Sequence, residues 1–430
     1  MTAVTFCSSQ IIKSSNHPIN LSLPAMSSLK ILNDPIYGII TMPNERVMEL
    51  IQHPYFQRLR RIRQLGMTHL VYPGANHTRF HHALGAMHLM RLAIDVLKSK
   101  GHIILEVEEE AVIIAILLHD IGHGPFSHAL EDSIASGIRH EELSLLMMDK
   151  LNKDFNGRMD LALKIFRDDY PKKFLHQLVS SKLDMDRLDY LCRDSFFTGV
   201  SEGVISQDRI IKMLEVHNDQ LAIEAKGIYS IEKFLVARRL MYWQVYLHKT
   251  VVSAEGLLIN ILKRARELTS KGQDLFGTPA FKLFLANNFS RKDFISDKSL
   301  LDTFAFLDDS DITSSVKVWC SHPDPVLSQL CKAIVNRNLF KIIIREKPFG
   351  ENEITEIKEK VKRDKKLNDE ECEYFVINDK LVNNAYSSRS DKINILFKDG
   401  SVKDIAEAAD TLNISAMSEP VEKYYVCFPK

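Results

Sequence analysis

The sequence lacks long apolar runs, paired cysteine motifs and net charge. Its longest apolar run, residues 111–118, is far shorter than the roughly 20 residues that a membrane-spanning helix needs. The six cysteines are scattered without a Cys-x-x-Cys pair, which disfavours a disulfide framework or a thiolate zinc site and fits a reducing cytoplasm. Because 56 basic residues balance 56 acidic ones, no overall positive field favours nucleic acid or an anionic membrane. We therefore expect a cytoplasmic protein that binds neither a membrane nor nucleic acid.

The chain divides by composition into three parts. Residues 1–28 are polar and uneven, without the basic start and apolar stretch of a secretory signal, and we expect them to be disordered. Residues 29–335 carry apolar residues mostly at helical spacing, which predicts a bundle of helices. Residues 336–430 combine short strand patterns with one charged helix. The predicted fold is therefore mostly α, a helical bundle core with a small C-terminal α/β appendage.

Apolar periodicity also predicts the individual elements of these parts. The predicted helices are residues 83–100, 108–118, 140–151, 174–191, 230–268 and 353–366. The predicted strands are residues 221–225, 341–345, 374–378, 392–397 and 424–428. The helix at 108–118 is apolar almost all round, so we expect it in the middle of the bundle.

Histidines are concentrated in one stretch of the chain. Nine of the sixteen lie between His77 and His140, although a single histidine is ordinarily a surface or hydrogen-bonded structural residue. The sharpest motif is LLHDIGHGPFSH, residues 117–128, in which His119 and Asp120 follow an apolar helix. Both can bind one ion beyond the helix end, and the glycines and proline after them let the backbone approach a ligand closely. A zinc-protease helix is excluded, because that motif needs a glutamate directly after its first histidine and unbroken helix between its ligands.

Two further residues complete a candidate metal site. His82 lies at a predicted helix start in NHTRFHHALG, and Asp186 lies on a later helix in KLDMDRLDYLCRD. Together with His119 and Asp120 they make a mixed nitrogen and oxygen set, which suits a divalent ion (Fe, Mn, Mg, Zn or Ni) better than a closed structural zinc. Such a site leaves positions open for water and a phosphate oxygen. The residues therefore favour a functional metal site.

Several ordered motifs resemble the HD-domain metal-dependent phosphohydrolases. The similarity runs through KILNDPIYGII, FQRLRRIRQLG and VYPGANHTRFHHALG, and resumes at LLHDIGHGPFSH, RHEELS, DMDRLDYLCRD and RRLMYWQVYLHK. The nearest branch is the deoxynucleoside triphosphate (dNTP) triphosphohydrolases, although the sterile-alpha-motif domain of the animal enzyme is absent. The resemblance implies water attack on the α-phosphorus of a dNTP, which releases a deoxynucleoside and triphosphate. By this resemblance the family's metal ligands are His82, His119, Asp120 and Asp186.

The resemblance also assigns histidines near the metal. His123, His128 and His140 match the pocket histidines of the family, and we expect His128 or His140 to donate a proton to the departing 5′-oxygen. Glu131 and Glu141 are close enough in sequence to orient such a histidine. Each glutamate is equally well interpreted as an ordinary solvent-exposed helix residue.

Basic and aromatic residues are expected around the substrate. Arg79, three residues before His82, is the best local candidate for a bidentate phosphate clamp. By resemblance, the substrate-binding residues are Gln64, Tyr190 and Asp194 around the sugar, Arg187, Arg238 and Lys249 near the phosphates, and Tyr246 as a pocket aromatic. The segment MYWQVYLHK also has the pattern of a buried helix face, so a structural role for Tyr246 stays open. Leu247 replaces a glutamine that lies near the base in the animal enzyme, so the sequence predicts no base preference.

The resemblance implies partners besides the nucleotide substrate. The animal enzyme assembles through a nucleotide activator site, and Lys30, Gln57 and Arg60 are similar to residues there. Gln52 replaces the aspartate that reads guanine at that site. We therefore expect a homo-oligomer, a dimer or tetramer, without guanine specificity for any activator. Two other functions stay open: another nucleotide phosphatase or phosphodiesterase, and a non-catalytic nucleotide sensor or single-stranded nucleic-acid binder on the same scaffold.

Overall fold

The computed structural model describes residues 30–130, 137–383, 392–410 and 421–430. The segment 1–28, predicted to be disordered, lies outside these residues. The described chain is mostly helical, with a few small sheets, as the sequence predicted. None of the helices in these ranges combines the length and apolar character needed to cross a membrane.

Helices make up most of the described chain. The α-helices are Glu45–Gln52, Pro54–Gln57, Arg79–Ser99, Glu106–Leu118, His140–Asp154, Asp160–Phe166, Lys173–Val179, Met185–Thr198, Gln207–Lys212, Ile228–Met241, Lys249–Ser270, Pro279–Ala286, Arg291–Ser296, Lys298–Ala305, Asp309–Trp319, Pro325–Val335, Glu351–Lys365, Asp369–Cys372 and Ile405–Ala408. Short 3₁₀ helices are Arg58–Arg61, Gly66–Leu70, Ser127–Leu130, Ser201–Gly203 and Ala225–Gly227.

The helix Glu106–Leu118 lies in the middle of the bundle, as predicted. Residues 111–118 are apolar and each is at most 5% exposed, because neighbouring helices cover every face of this segment. It packs against Arg79–Ser99, which in turn packs against Met185–Thr198. Two consecutive helices and a third, Met185–Thr198, from much later in the chain are thereby held side by side.

The predicted helix 174–191 is wrong, because the structure has two helices there. Lys173–Val179 ends before Asp184, and Met185–Thr198 begins directly after it. The Asp184 side chain accepts hydrogen bonds from the backbone N–H of Arg187 at 2.7 Å and of Ser181 at 2.8 Å. Asp184 therefore caps the second helix, and this cap interrupts the apolar periodicity that runs through both.

The predicted long helix 230–268 is also interrupted. Ile228–Met241 continues into a π-helical turn at Tyr242–Tyr246, and a new helix, Lys249–Ser270, follows. His248 has an extended backbone conformation, and its Nδ1 accepts from the backbone N–H of Thr250 at 3.2 Å. No glycine or proline marks this break in the sequence, so periodicity alone could not locate it.

An N-terminal hairpin, which the sequence did not predict, lies beside the bundle. Its strands Ile31–Asp34 and Gly38–Thr41 pair antiparallel, with Leu32 opposite Ile40. Asp34 shapes the turn, since its Oδ1 accepts from the backbone N–H groups of residues 36 and 37 at 2.9 and 3.0 Å. The strands are only four residues long, which hid their alternation in the sequence.

Two further sheets involve the C-terminal region. One has the order Leu214–His217, Gln220–Glu224, Asn394–Leu396, Val402–Asp404, and the central pairing between Gln220–Glu224 and Asn394–Leu396 is parallel. The other is antiparallel, with Val421–Phe428 between Lys341–Arg345 and Ile377–Asn383. The predicted strand 374–378 starts instead at Ile377, because residues 373–375 still form a turn after a short helix. The division of the chain at residues 335/336 stays a prediction, and strand pairing crosses it.

Candidate metal centre and substrate cavity

Three helices bring the four predicted metal ligands together. His82 lies in the first turn of Arg79–Ser99, and Asp186 lies in the first turn of Met185–Thr198. His119 and Asp120 follow Leu118, at the end of the buried helix. The four residues therefore converge because two helix starts and one helix end meet at the same place in the bundle.

The ligand atoms of His82, His119 and Asp186 form one close group, and Asp120 approaches this group through the two imidazoles, with its Oδ2 3.8 Å from His82 Nε2. His82 Nε2 is 3.1 Å from Asp186 Oδ1 and 3.4 Å from His119 Nε2. His119 Nε2 is 3.5 Å from Asp186 Oδ1 and 3.4 Å from Asp120 Oδ1. Spacings of this size are those of atoms that share one ion, because ligands at about 2.0–2.2 Å from a metal lie about 3 Å apart. Two imidazole nitrogens and two carboxylates fit a divalent transition metal or magnesium.

Hydrogen bonds on the far side of each imidazole orient its ligating nitrogen. His119 Nδ1 lies 2.7 Å from the carbonyl oxygen of Ile116, to which it can only donate. His82 Nδ1 lies 2.8 Å from Asp189 Oδ2. A proton on each Nδ1 leaves both Nε2 lone pairs directed at the shared position, which is the arrangement that metal-binding histidines use.

A buried ion-pair network holds Asp189 in place, and sequence analysis missed it. Arg193 donates to both carboxylate oxygens of Asp189 at 2.9 Å and to Asp34 Oδ2 at 2.9 Å. The Asp189 and Arg193 side chains are fully buried. The signal was present in part, since Asp186, Asp189 and Arg193 follow one another at three- and four-residue spacing on one helix face.

Carboxylates beside the two imidazoles favour a bound cation. Burial alone would lower the pKa of His82, but hydrogen bonds to Asp186 and Asp189 outweigh it and raise that pKa to about 10. Burial likewise opposes ionisation of Asp186, but hydrogen bonds from His119 and His82 hold the pKa of its carboxyl well below its usual range. Asp186 is therefore ionised at neutral pH, and a divalent ion can replace the protons on the imidazoles.

A second group of titratable residues extends the first. His123 Nδ1 is 3.3 Å from Asp120 Oδ1, and the rings of His123 and His140 lie 3.8 Å apart between centroids. Asp120, His123 and His140 form a second cluster whose ligand atoms are close enough to hold an ion. Burial and the nearby Arg79 guanidinium hold the pKa of His123 well below its usual value, so its imidazole is neutral near pH 7.

Gly122 and Ser144 fix this second cluster. A Cβ on Gly122 would lie 2.4 Å from the carbonyl oxygen of His140, so only glycine lets the two segments approach this closely. Ser144 Oγ accepts from the Gly122 N–H at 2.9 Å and donates to the His119 carbonyl at 2.8 Å. One hydroxyl therefore ties the helix that begins at His140 to the segment that carries two candidate metal ligands.

The remaining predicted catalytic residues differ in their placement. Arg79 is buried, donates to Asp120 Oδ2, and donates from Nε to Ser127 Oγ at 2.9 Å. Glu141 is half exposed, with Oε2 3.5 Å from His140 Nδ1. The side chain of His128 and all of Glu131 lie outside the described residues.

A cavity of about 630 Å³ opens from the two clusters. Its size falls within the range of about 300–1,000 Å³ that small-molecule sites occupy. Six of the predicted substrate residues line it: Gln64, Arg187, Tyr190, Asp194, Arg238 and Tyr246. The cavity therefore joins the metal ligands to basic and aromatic side chains.

Asp194 connects residues on the aromatic side of the cavity through hydrogen bonds. It accepts from the Tyr246 hydroxyl at 2.8 Å, and its other oxygen lies 2.7 Å from His77 Nε2. The His77 ring stacks on Phe197 at 4.5 Å. Tyr190 and Tyr246 pack edge to face at 6.2 Å. The π-helical turn that interrupts the long predicted helix brings Tyr246 to this position, and His77 is a supporting residue that sequence analysis missed.

Lys249 does not lie with the other predicted substrate residues. It lines a neighbouring cavity of about 520 Å³ with Trp243, Arg345 and Lys423, and Leu247 borders both cavities. The prediction differs because residues 247 and 248 leave the helix after Tyr246, so Lys249 starts a new helix instead of continuing the one that carries Tyr246. The activator-site candidates lie elsewhere: Arg60 Nε donates to Gln57 Oε1 at 2.9 Å on the exposed surface.

Comparison with known proteins identifies the family. A model of the HD domain matches residues 79–194, and one of an HD-associated region matches residues 205–275. An uncharacterized Bacillus subtilis protein, YwfO, is 34% identical over 328 residues, covering 74% of this chain and 72% of that protein. A phosphohydrolase from Bacteroides thetaiotaomicron, known from a crystal structure, is 53% identical in sequence to this chain and matches it with a TM-score of 0.91. The match covers 94% of this chain and 100% of that protein's chain. The chain belongs to the HD-domain phosphohydrolase family.

The HD-domain match spans the whole candidate metal site. All four ligands fall between residues 79 and 194, and the associated region supplies Arg238 and Tyr246 to the cavity. A Dictyostelium discoideum protein named deoxynucleoside triphosphate triphosphohydrolase SAMHD1 homolog is 30% identical over 354 residues, covering 78% of this chain and 64% of that protein. The metal dependence of HD domains agrees with the donor set described above.

Proposed function

We propose that this HD-domain protein hydrolyses deoxynucleoside triphosphates to deoxynucleoside and inorganic triphosphate. The observation on which this proposal depends is one cavity in which two candidate metal ligands, Asp120 and Asp186, lie with three arginines and with sugar-binding candidates. The arginines are Arg79, Arg187 and Arg238, and the sugar-binding candidates are Tyr190 and Asp194. A polyanionic group and a polar, ring-shaped group can be accommodated together there. The similarity to the named Dictyostelium protein supports the same substrate class.

The proposed chemistry assigns a task to each group. A divalent ion held by His82, His119, Asp120 and Asp186 would supply Lewis-acid activation of phosphate and water. Arg79 is fixed beside Asp120 and Ser127, so its guanidinium is already oriented to bind phosphate oxygens. Arg187, fixed by Asp184, adds a second cation on the opposite helix.

Bond making and breaking involve the histidine side of the cavity. The oxygen of water bonds to the α-phosphorus, and the bond from that phosphorus to the 5′-oxygen breaks. His140, whose ring contacts His123, donates a proton to the departing 5′-oxygen in this proposal, and the proton that the attacking water releases restores the protonated imidazole. Asp194 accepts a hydrogen bond from the 3′-hydroxyl, and Tyr190 packs beneath the sugar where a 2′-hydroxyl would collide.

Product analysis tests the proposal directly. Protein loaded in turn with Mn, Fe, Mg, Zn or Ni is incubated with dNTPs, NTPs, dNMPs, cyclic nucleotides and a phosphodiester in H₂¹⁸O, and products are separated by anion exchange. We expect a deoxynucleoside plus triphosphate, with the ¹⁸O in the triphosphate. Nucleotide products, or ¹⁸O in the nucleoside, would contradict the proposed reaction, and tight nucleotide binding without hydrolysis would favour a sensor. His119→Ala protein purified in parallel controls for contaminating phosphatases.

Three accompanying predictions concern the setting of this activity. The cytoplasmic location, the homo-oligomeric assembly and the nucleotide activator remain predictions from the sequence. Size-exclusion chromatography with light scattering, with and without added nucleotide, measures the last two. A monomer at every nucleotide concentration would contradict both.

A further inference from the structure

Glu255 has a carboxyl group in the substrate cavity. Neither the proposed metal site nor the proposed phosphate contacts give this carboxyl group a role. It lies two turns into the helix Lys249–Ser270 and lines the cavity. A Cβ on Gly66, on the facing 3₁₀ helix, would lie only 3.8 Å from Glu255 Oε1. The carboxyl therefore lies at the wall that Gly66 and Phe126 form.

Glu255 shares the cavity with several apolar side chains. Leu65, Phe126, Leu247 and Ile259 line the same cavity. In the part of the chain that the structure describes, no side chain forms an ion pair or a hydrogen bond with Glu255. Burial alone raises its pKa to about 7, so none of the arginines in the cavity offsets the cost of its charge.

These facts exclude the phosphates as the group that Glu255 contacts. A carboxylate repels a triphosphate, and the cations that would bind the triphosphate lie beside the metal ligands, where Arg79 contacts Asp120. The sugar already has polar partners in the proposed function, Asp194 and Tyr190. The nucleobase is the part of a nucleotide that remains, and the apolar side chains that line the cavity with Glu255 suit the faces of an aromatic ring.

We propose that Glu255 is a specificity-determining residue that selects guanine, accepting hydrogen bonds from guanine N1–H and N2–H with its two carboxylate oxygens. This inference rests on the proposed dNTP hydrolase function and names its preferred base. Guanine alone presents two adjacent donors on its Watson–Crick edge, which match the two oxygens of one carboxylate. Adenine and cytosine present one donor beside an acceptor, and thymine presents one donor between two acceptors, so each leaves an oxygen of Glu255 unpaired.

The test compares dGTP with dITP, which differ only in the 2-amino donor. At pH 8, wild-type protein should turn over dGTP with a kcat/KM about tenfold or more above that for dITP, since one charge-assisted hydrogen bond is lost. In Glu255→Gln the ratio of the two kcat/KM values should fall to about one to three, because the amide offers a donor where guanine needs an acceptor. Glu267→Gln, the same change on the same helix but outside the cavity, should keep the wild-type ratio.

Binding measurements separate this inference from the proposed function. Calorimetry with deoxyguanosine and deoxyinosine, which lack phosphates, should reproduce the wild-type preference for guanine and its loss in Glu255→Gln. If dNTPs are not hydrolysed but this binding difference appears, the proposed function fails and the role of Glu255 stands. If dNTPs are hydrolysed and Glu255→Gln keeps the wild-type dGTP to dITP ratio, or wild type has no preference, the role of Glu255 is overturned. Circular dichroism of both variants checks that they fold.

Discussion

Gly85 lies where the metal site depends on close packing, and its replacement gives a sharp test. It is inside the helix Arg79–Ser99, where alanine would normally gain about 1 kcal/mol over glycine. However, a Cβ at this position would lie 2.0 Å from Asp189 Oδ1 and 2.2 Å from Arg193 Nη2. Contacts this short do not occur, so the carboxylate and the guanidinium would both have to move by about 1 Å.

The expected loss of stability follows from the interactions that this movement breaks. Overpacking of a buried site costs about 1–3 kcal/mol, and separating Arg193 from Asp189 adds part of the 3–5 kcal/mol of a broken buried ion pair. We therefore expect Gly85→Ala to lower the free energy of unfolding by about 2 kcal/mol or more, despite its better helix propensity. Since Asp189 also orients His82 at 2.8 Å, metal affinity should fall about 10- to 100-fold.

Two assays and one matched control measure these effects. Urea unfolding of metal-free protein gives the stability, and competition with a chromophoric chelator gives the metal affinity. Gly256→Ala, inside the helix Lys249–Ser270, is the control, because its Cβ would meet only the flexible end of Ile377 at 2.8 Å. We expect this control to be as stable as wild type and to bind metal normally. Equal stability and metal affinity of the two variants would refute the proposed dependence on Asp189 and Arg193.

The remaining predictions concern the metal, the histidines and the aromatic side of the cavity. His119→Ala should lose metal occupancy and hydrolysis together, so activity retained in metal-free buffer would contradict the ligand assignment. His140→Ala should keep the metal but lose about 100- to 10,000-fold in kcat, and an unchanged kcat would remove His140 from the reaction. Metal at 100 times its dissociation constant should raise the free energy of unfolding by about 2.7 kcal/mol, and equal urea midpoints with and without metal would argue against a folded-state site. Tyr246→Phe removes the 2.8 Å hydrogen bond to Asp194 and should cost about fivefold in kcat/KM for dNTPs but not for 2′,3′-dideoxynucleotides, whereas the exposed Tyr229→Phe should change neither.

Residues that lie in short motifs were the easiest to predict. His119 and Asp120 follow a helix that is apolar almost all round, and His82 and Asp186 lie at helix starts, so a local pattern marks each candidate ligand. Their meeting in one place required only that the helices pack side by side. The mostly helical fold was predictable for the same reason, since helical periodicity is a local signal.

The supporting residues could not be found in this way, because their partners are far apart in sequence. Arg193 pairs with Asp34 across 159 positions, and His77 pairs with Asp194 across 117. The π-helical turn at Tyr242–Tyr246 has no glycine or proline to announce it. Such features depend on tertiary contacts that override the local conformational preference of the sequence. These long-range pairs and this π-helical turn set the geometry of the site.

The parallel pairing of Gln220–Glu224 with Asn394–Leu396 has a consequence for solubility. These C-terminal residues cover one edge of a strand that belongs to the helical core, and the other edge is paired with Leu214–His217. A chain cut at residue 335 would uncover a row of backbone donors and acceptors beside Ile223, which is 1% exposed in the intact protein. Exposed edges of this kind template pairing between molecules, so such a truncated protein would be prone to aggregate even if its metal site were intact. The C-terminal region thus protects the core from self-association, whatever else it does.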